Sequence, residues 1–128
     1  MKAIRSLTRI YLAPEAMEEM LSFYEDIFGE RRFRIQYEGL DLASVGSFFL
    51  CAGSDEALNP YREIRTILIV DSLNEFKESL LAHGAEILSE PKQLPTGLNL
   101  VAKHPDGSLV EYVEVSQKEE DKNGSHRS

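Results

Sequence analysis

A strand-like run, a helix-like run and a closing glycine occur twice in this chain, and the second copy keeps step with the first. The first copy reads Leu7-Thr8-Arg9-Ile10-Tyr11-Leu12, then residues 14–28 at helical spacing, then Gly29. The second reads Ile64-Arg65-Thr66-Ile67-Leu68-Ile69-Val70, then residues 72–83, then Gly84. Gly84 minus Gly29 gives an offset of 55, and Arg65 minus Arg9 gives 56. An internal repeat of this length restricts the chain to two copies of one supersecondary unit.

Local signals fill in each unit. Residues 4–12 alternate with β-formers and read as a strand. Pro14 suits a first helical turn, with Glu15, Glu18 and Glu19 at its positive end. Met17, Met20, Leu21, Tyr24, Ile27 and Phe28 then recur at helical spacing up to Gly29. Residues 33–37, 40–45 and 48–52 read as strands, turned at Glu38-Gly39 and Gly46-Ser47. Residues 54–62 read as a linker. In the second copy, 63–70 form a strand and Ser72-Leu73-Asn74-Glu75 a capping box, in which each side chain meets the other residue's amide. Strands over 86–88, 99–103 and 108–115 follow, the last two joined by His104-Pro105-Asp106-Gly107. Residues 117–128 lack large apolar side chains and are expected to be a disordered polar tail.

The expected fold class is therefore α+β, with two βαβββ modules (4–53 and 63–116) in one domain over residues 1–116. Two such modules curling their sheets would form a partly closed cleft with the helices outside. A length of 128 residues suits one domain. The net charge of −8 argues against nucleic acid and anionic membranes as partners. No apolar run is long enough to span a bilayer, and no secretory signal is visible. Cys51 is the single cysteine, which suits a reducing cytoplasm.

Phe23-Tyr24-Glu25-Asp26-Ile27-Phe28-Gly29 and His104-Pro105-Asp106-Gly107-Ser108-Leu109-Val110-Glu111-Tyr112, in this order and spacing, resemble the vicinal oxygen chelate superfamily. Glyoxalase I, the extradiol dioxygenases and the bleomycin and fosfomycin resistance proteins belong to it. The resemblance covers residues 4 to about 115. It implies a cleft in which a divalent metal (Zn, Ni, Mn or Fe) is normally held. Counting from the matched motifs, the usual metal-ligand positions fall on Arg9, Arg65 and Glu111, with Leu50 at the remaining pseudo-symmetric place.

Arginine has five N–H donors, no lone pair to offer and a charge that persists at any working pH. Two of them in place of ligands oppose a cation, and Glu111 alone cannot hold one. The expectation is a protein with no metal and no cofactor. Its cleft would take a small molecule, anionic on charge grounds, against Arg9, Tyr11, Phe48, Leu50, Arg65, Ile67 and Glu111. By strand parity Cys51 would face the helix layer instead. A purely structural Arg-Glu-Arg network competes for these charges, and the cost of leaving a buried pair incomplete leans toward it.

The resemblance further implies a homodimer, similar in kind to the bleomycin resistance proteins, and leans away from an enzyme. Two alternatives stay open. One is a metal-dependent lyase of glyoxalase type, or a dioxygenase, using other ligands. The other is metal-independent acid-base chemistry with Glu111 as the catalytic group. His83 and His104 read as capping or surface residues.

Overall fold

The computed structural model describes residues 1–115, so the polar tail over 117–128 lies outside the described residues. The element order is β1 (Ala3–Leu12), α1 (Met17–Phe28), β2 (Phe33–Tyr37), β3 (Leu40–Val45), β4 (Phe48–Ala52), α2 (Asp55–Leu58), β5 (Thr66–Val70), α3 (Leu73–Ala82), β6 (Glu86–Leu94), β7 (Gly97–Lys103) and β8 (Leu109–Glu114). Strand, helix and three strands thus occur twice, which is the α+β order expected. Two compact units divide the chain. The α1 unit holds Leu7–Arg65, and the α3 unit holds Met1–Ser6 with the described chain after Arg65.

In the α1 unit the strands lie in the order β2-β3-β4-β1, with β1 parallel to β4 and the other pairs antiparallel. Helix α1 is amphipathic, and it buries Met17 and Leu21 against Ala43, Val45, Leu50 and Ala52. Tyr24 and Phe28 meet Phe48 edge-on, with ring centroids 4.9 and 5.3 Å apart. Gly29 ends the helix in the left-handed conformation. A single 3₁₀ turn, Pro14–Ala16, precedes α1, where continuous α-helix was expected.

A polar network pins the outer flank of α1 to β2 and β3. Arg32 donates to Glu18 at 2.6 Å and to Glu25 at 2.9 Å, and Arg34 donates to Glu18 at 2.8 Å. Arg34 also grips both oxygens of Asp41, at 3.0 and 2.7 Å. Hydrogen bonds from Arg32 hold the Glu18 and Glu25 carboxyls below the usual range.

Residues 54–62 are more ordered than a linker. Ser54 accepts a hydrogen bond from the Ala57 amide at 3.2 Å and starts the short α2, and a 3₁₀ turn over Asn59–Tyr61 follows.

In the α3 unit the order is β5-β8-β7-β6. Leu73, Phe76 and Leu80 of α3 pack on Val70, Leu100, Ala102, Val110 and Tyr112. Only half of the expected capping box forms. Ser72 accepts from the Glu75 amide at 3.3 Å, but the Glu75 carboxylate turns to the terminal ammonium, 3.4 Å away. Glu114, from β8, supplies a further cap by accepting from the Leu73 amide at 2.8 Å. Strand β6 is longer than the three residues expected and irregular between Ser89 and Lys92, where Pro91 lacks an N–H. Among the described residues no helix is long and apolar enough to cross a membrane.

Candidate functional site

Each unit has one sheet face packed on its long helix and one turned away from it. Because successive strand residues alternate, the chain can place polar groups on the second face without disturbing the first. In the α1 unit that second face carries Arg9 and Tyr11 of β1 with Phe49 and Cys51 of β4, paired in register as Arg9 with Phe49 and Tyr11 with Cys51. The Arg9 guanidinium carbon lies 5.4, 5.6 and 5.9 Å from the ring centroids of Tyr11, Phe49 and Tyr61. Its Nη2 donates to the Cys51 sulfur at 3.4 Å. The quadrupoles of the rings attract the cation, so it is held in place rather than left to sweep through solvent. The Tyr11 hydroxyl meets the carbonyl oxygens of Tyr61 and Ile64 and, with one proton, donates to one of them at a time. It thereby fastens residues 59–64 to β1, which brings the Tyr61 ring beside Arg9.

Two expected members of the site are elsewhere. Phe48 and Leu50 point to α1, where Leu50 is fully buried beside Met17 and Leu21. Cys51, expected to face the helix layer, is on the opposite face with Arg9. The cause is loop length. Only Gly46 and Ser47 separate β3 from β4, whereas five residues, 104–108, separate β7 from β8. Aligning Ser47 with Ser108 therefore shifts the parity. By strand pairing, Leu50 lies beside Ile10 as Tyr112 lies beside Leu68, so the counterpart of Glu111 is Phe49.

The same reasoning separates the two arginines. Ile10 corresponds to Leu68, an offset of 58, so Arg9 corresponds to Ile67 and Arg65 falls level with Leu7. The extra residues are in the 3₁₀ turn between β1 and α1. Arg65 is exposed and precedes β5, with its carbonyl accepting from the Arg9 amide at 2.8 Å. The arginines are not equivalent.

In the α3 unit, Glu111 lies on the face away from α3, beside Ile67 and Val101 in register, and Ile67 is buried. Asn99, which the sequence reading passed over, is on the same face and donates from Nδ2 to Glu111 Oε2 at 2.6 Å. It is 7% exposed and, among the described residues, the one buried hydrophilic side chain. A signal was present: an asparagine within Leu98-Asn99-Leu100-Val101, at the parity that faces away from α3. Tyr112 has the helix-facing parity expected of it, and burial pushes its hydroxyl pKa up. Its hydroxyl meets His104 Nε2 at 2.6 Å, so His104 is an anchor for the turn.

The α1 unit also holds an open depression of about 390 Å³ at the C-terminal end of β1, lined by Tyr11, Glu15, Asp55, Leu58 and Arg62 among others. Arg62 and Asp55 pair across it at 2.8 Å.

Among the described residues no three His, Cys, Asp or Glu side chains gather where they could hold a metal ion. Arg9, at a sequence-predicted ligand position, is a guanidinium and offers a cation no lone pair.

These units have the α+β fold of the vicinal oxygen chelate superfamily. Methylmalonyl-CoA epimerase from Mycobacterium tuberculosis superposes with a TM-score of 0.62 at 17% identity, over 89% of this chain and 89% of that one. The Streptomyces coelicolor epimerase in complex with 2-nitronate-propionyl-CoA gives 0.61 at 16% identity, over 91% and 97%. At these identities the likeness is one of fold. An uncharacterized protein from Methanosarcina mazei is 40% identical, with a TM-score of 0.84 over 91% of this chain and 96% of that one. The chain belongs to the same family as this Methanosarcina mazei protein. Neither a protein-family model nor a curated protein matches the sequence.

Proposed function

We propose that this protein binds a small carboxylate without a metal, on the sheet face turned away from α1. The observation that carries the reading is Arg9, a permanent cation held among the rings of Tyr11, Phe49 and Tyr61. A guanidinium fork matches a carboxylate bidentately, and flanking rings favour a ligand with an aromatic or apolar body. The arginine offers no lone pair, which speaks for an organic anion over a cation. The reading makes the protein a binder and not a lyase or dioxygenase. Its working form is a homodimer in a reducing cytoplasm. In support of the dimer, Phe23, Ile27 and Phe33 of the α1 unit are each more than half exposed.

Isothermal titration with phenylacetate is the direct test. Wild-type protein is expected to bind one phenylacetate per chain, and Arg9→Met to weaken binding about tenfold or more. Plasma mass spectrometry on protein purified without chelator is expected to find no stoichiometric Zn, Ni, Mn or Fe. One metal per chain, lost on Glu111→Ala, would overturn the reading in favour of a metal-dependent lyase or dioxygenase. Light scattering reads the dimer, which Phe33→Glu is expected to weaken.

A further inference from the structure

Strand β2 is the outermost strand of the α1 unit, and among the described residues no strand pairs with its outer edge. The two-residue turn Glu38-Gly39, both at positive φ, closes the β2–β3 hairpin on Tyr37 and Leu40. Residues flanking such a turn form a hydrogen-bonded pair, and pairs alternate from there. By that alternation Phe33, Ile35 and Tyr37 bond to β3, while Arg34 and Gln36 direct their N–H and C=O groups outward. The amide of Arg32, of the same parity, is already taken by Glu25 at 2.8 Å, so the open run is 33–37. Exposed edges are commonly blunted with proline, lysine or a bulge. Strand β6, outermost in the α3 unit, has Pro91, Lys92 and register shifts between Ile87 and Lys92. Strand β2 has none of these. Its one charged side chain, Arg34, is held by Glu18 and Asp41 on the α1 side. On the other side Phe33, Ile35 and Tyr37 form an apolar row, of which Phe33 is 60% exposed.

We infer that the outer edge of β2 is the docking surface for a second copy of this chain, whose β2 pairs with it antiparallel about a two-fold axis at Ile35. This rests on the reading that the protein is a homodimer, and it names the surface. The strand is self-complementary in that register, as a two-fold interface requires. Arg34 and the partner's Gln36 exchange both backbone hydrogen bonds, and so do Gln36 and the partner's Arg34. Phe33 lies opposite the partner's Tyr37, an aromatic cross-strand pair made twice, with the two Ile35 side chains between them. Charge selects the same register. Centred on Ile35, each Arg34 faces a neutral glutamine and all of 33–37 is paired, whereas centring on Arg34 opposes two guanidiniums and leaves Tyr37 unpaired.

Two measurements on the full chain test this. In wild-type protein, amide hydrogen exchange at Arg34 and Gln36 is expected to slow about tenfold or more between dilute monomer and concentrated dimer, as dimerisation satisfies both amides. In the second, Ile35→Cys and Gln36→Cys proteins are oxidised mildly. The two Ile35 positions form a non-hydrogen-bonded pair with Cα atoms about 4.5 Å apart, within reach of a disulfide. The two Gln36 positions are offset along the strands by more than about 7 Å, beyond that reach. Ile35→Cys should therefore give a covalent dimer and Gln36→Cys should not. If Ile35→Cys does not fold, exchange in the wild type decides alone. A wild-type dimer whose Arg34 and Gln36 amides exchange as fast as in the monomer overturns the edge pairing and leaves the homodimer reading standing. So does a folded Ile35→Cys protein that stays unlinked, or equal linking by both variants. A wild-type protein that stays monomeric by light scattering overturns both.

Discussion

The α1 unit and the α3 unit are built on the same strand-helix-strand-strand-strand order, yet they hold their helices and furnish their open faces differently. Helix α1 is fixed from outside by Arg32 and Arg34, which bind Glu18, Glu25 and Asp41. Helix α3 is fixed at its start by Ser72 and Glu114. The face away from α1 carries a cation among rings, and the face away from α3 a carboxylate held by an amide. What the two share is the apolar face under each helix. Packing tolerates little change there, whereas exposed and half-buried positions are free to diverge.

The sharpest way to break this comparison is to truncate the shared core. Leu21→Ala and Leu73→Ala remove fully buried side chains of α1 and α3. Each is expected to cost about 2–5 kcal/mol in urea unfolding. A cost under about 1 kcal/mol at one of them would show that its helix is not bound by packing.

Next come two glycines at positive φ, where the units differ. A Cβ at Gly97 (φ 132°) would lie 2.3 Å from the Glu114 carbonyl oxygen, and one at Gly46 (φ 57°) would lie 2.4 Å from the Phe28 ring. Backbone cannot swing aside as a ring can. Gly97→Ala is therefore expected to destabilise more than Gly46→Ala, by about 2–3 kcal/mol against about 1–2, measured as shifts in the unfolding midpoint.

A smaller effect belongs to the α3 unit alone. Tyr112→Phe removes the hydroxyl that meets His104. Its expected cost is about 1 kcal/mol, and the double variant with His104→Phe should show non-additivity in a double-mutant cycle. Strict additivity would dismiss the bond as an anchor for the turn.

The smallest effect, and the one specific to α1, depends on pH. Glu18 and Glu25 are held below the ordinary carboxylate range by Arg32. Their contribution is present above the unfolded glutamate pKa of about 4.3 and fades as pH falls through their lower folded values. Arg32→Gln should be less stable than wild type at pH 6, with the gap closing in acid and narrowing in 1 M salt. A gap constant from pH 6 to pH 2 would assign the arginine's effect to packing instead of charge.

Much of the architecture was readable from residue order. The ranges of β2, β3 and β4 coincide with those expected, because short alternating runs bounded by Glu38-Gly39 and Gly46-Ser47 leave little choice of register. The site was less readable. Counting from a helix assigned Arg65 the same role as Arg9, and counting from a turn assigned Leu50 that of Glu111. Both counts cross a connection whose length differs between the copies. A difference of two moves Arg65 along its strand away from the place of Arg9, and a difference of one reverses the face at Leu50. Asn99 was missed for another reason: its importance lies in burial, which no local pattern reports.

The chain by itself determined the repeat, the α+β class and the donors available to the chemistry, since these follow from periodicity and from what arginine can and cannot do. Which side chains share a face with Arg9, that Tyr61 joins it, and that Asn99 is buried against Glu111 were decided only by strand pairing and by loops folding back. Those are contacts between residues far apart in sequence, and their energies appear only once the backbone has brought them together.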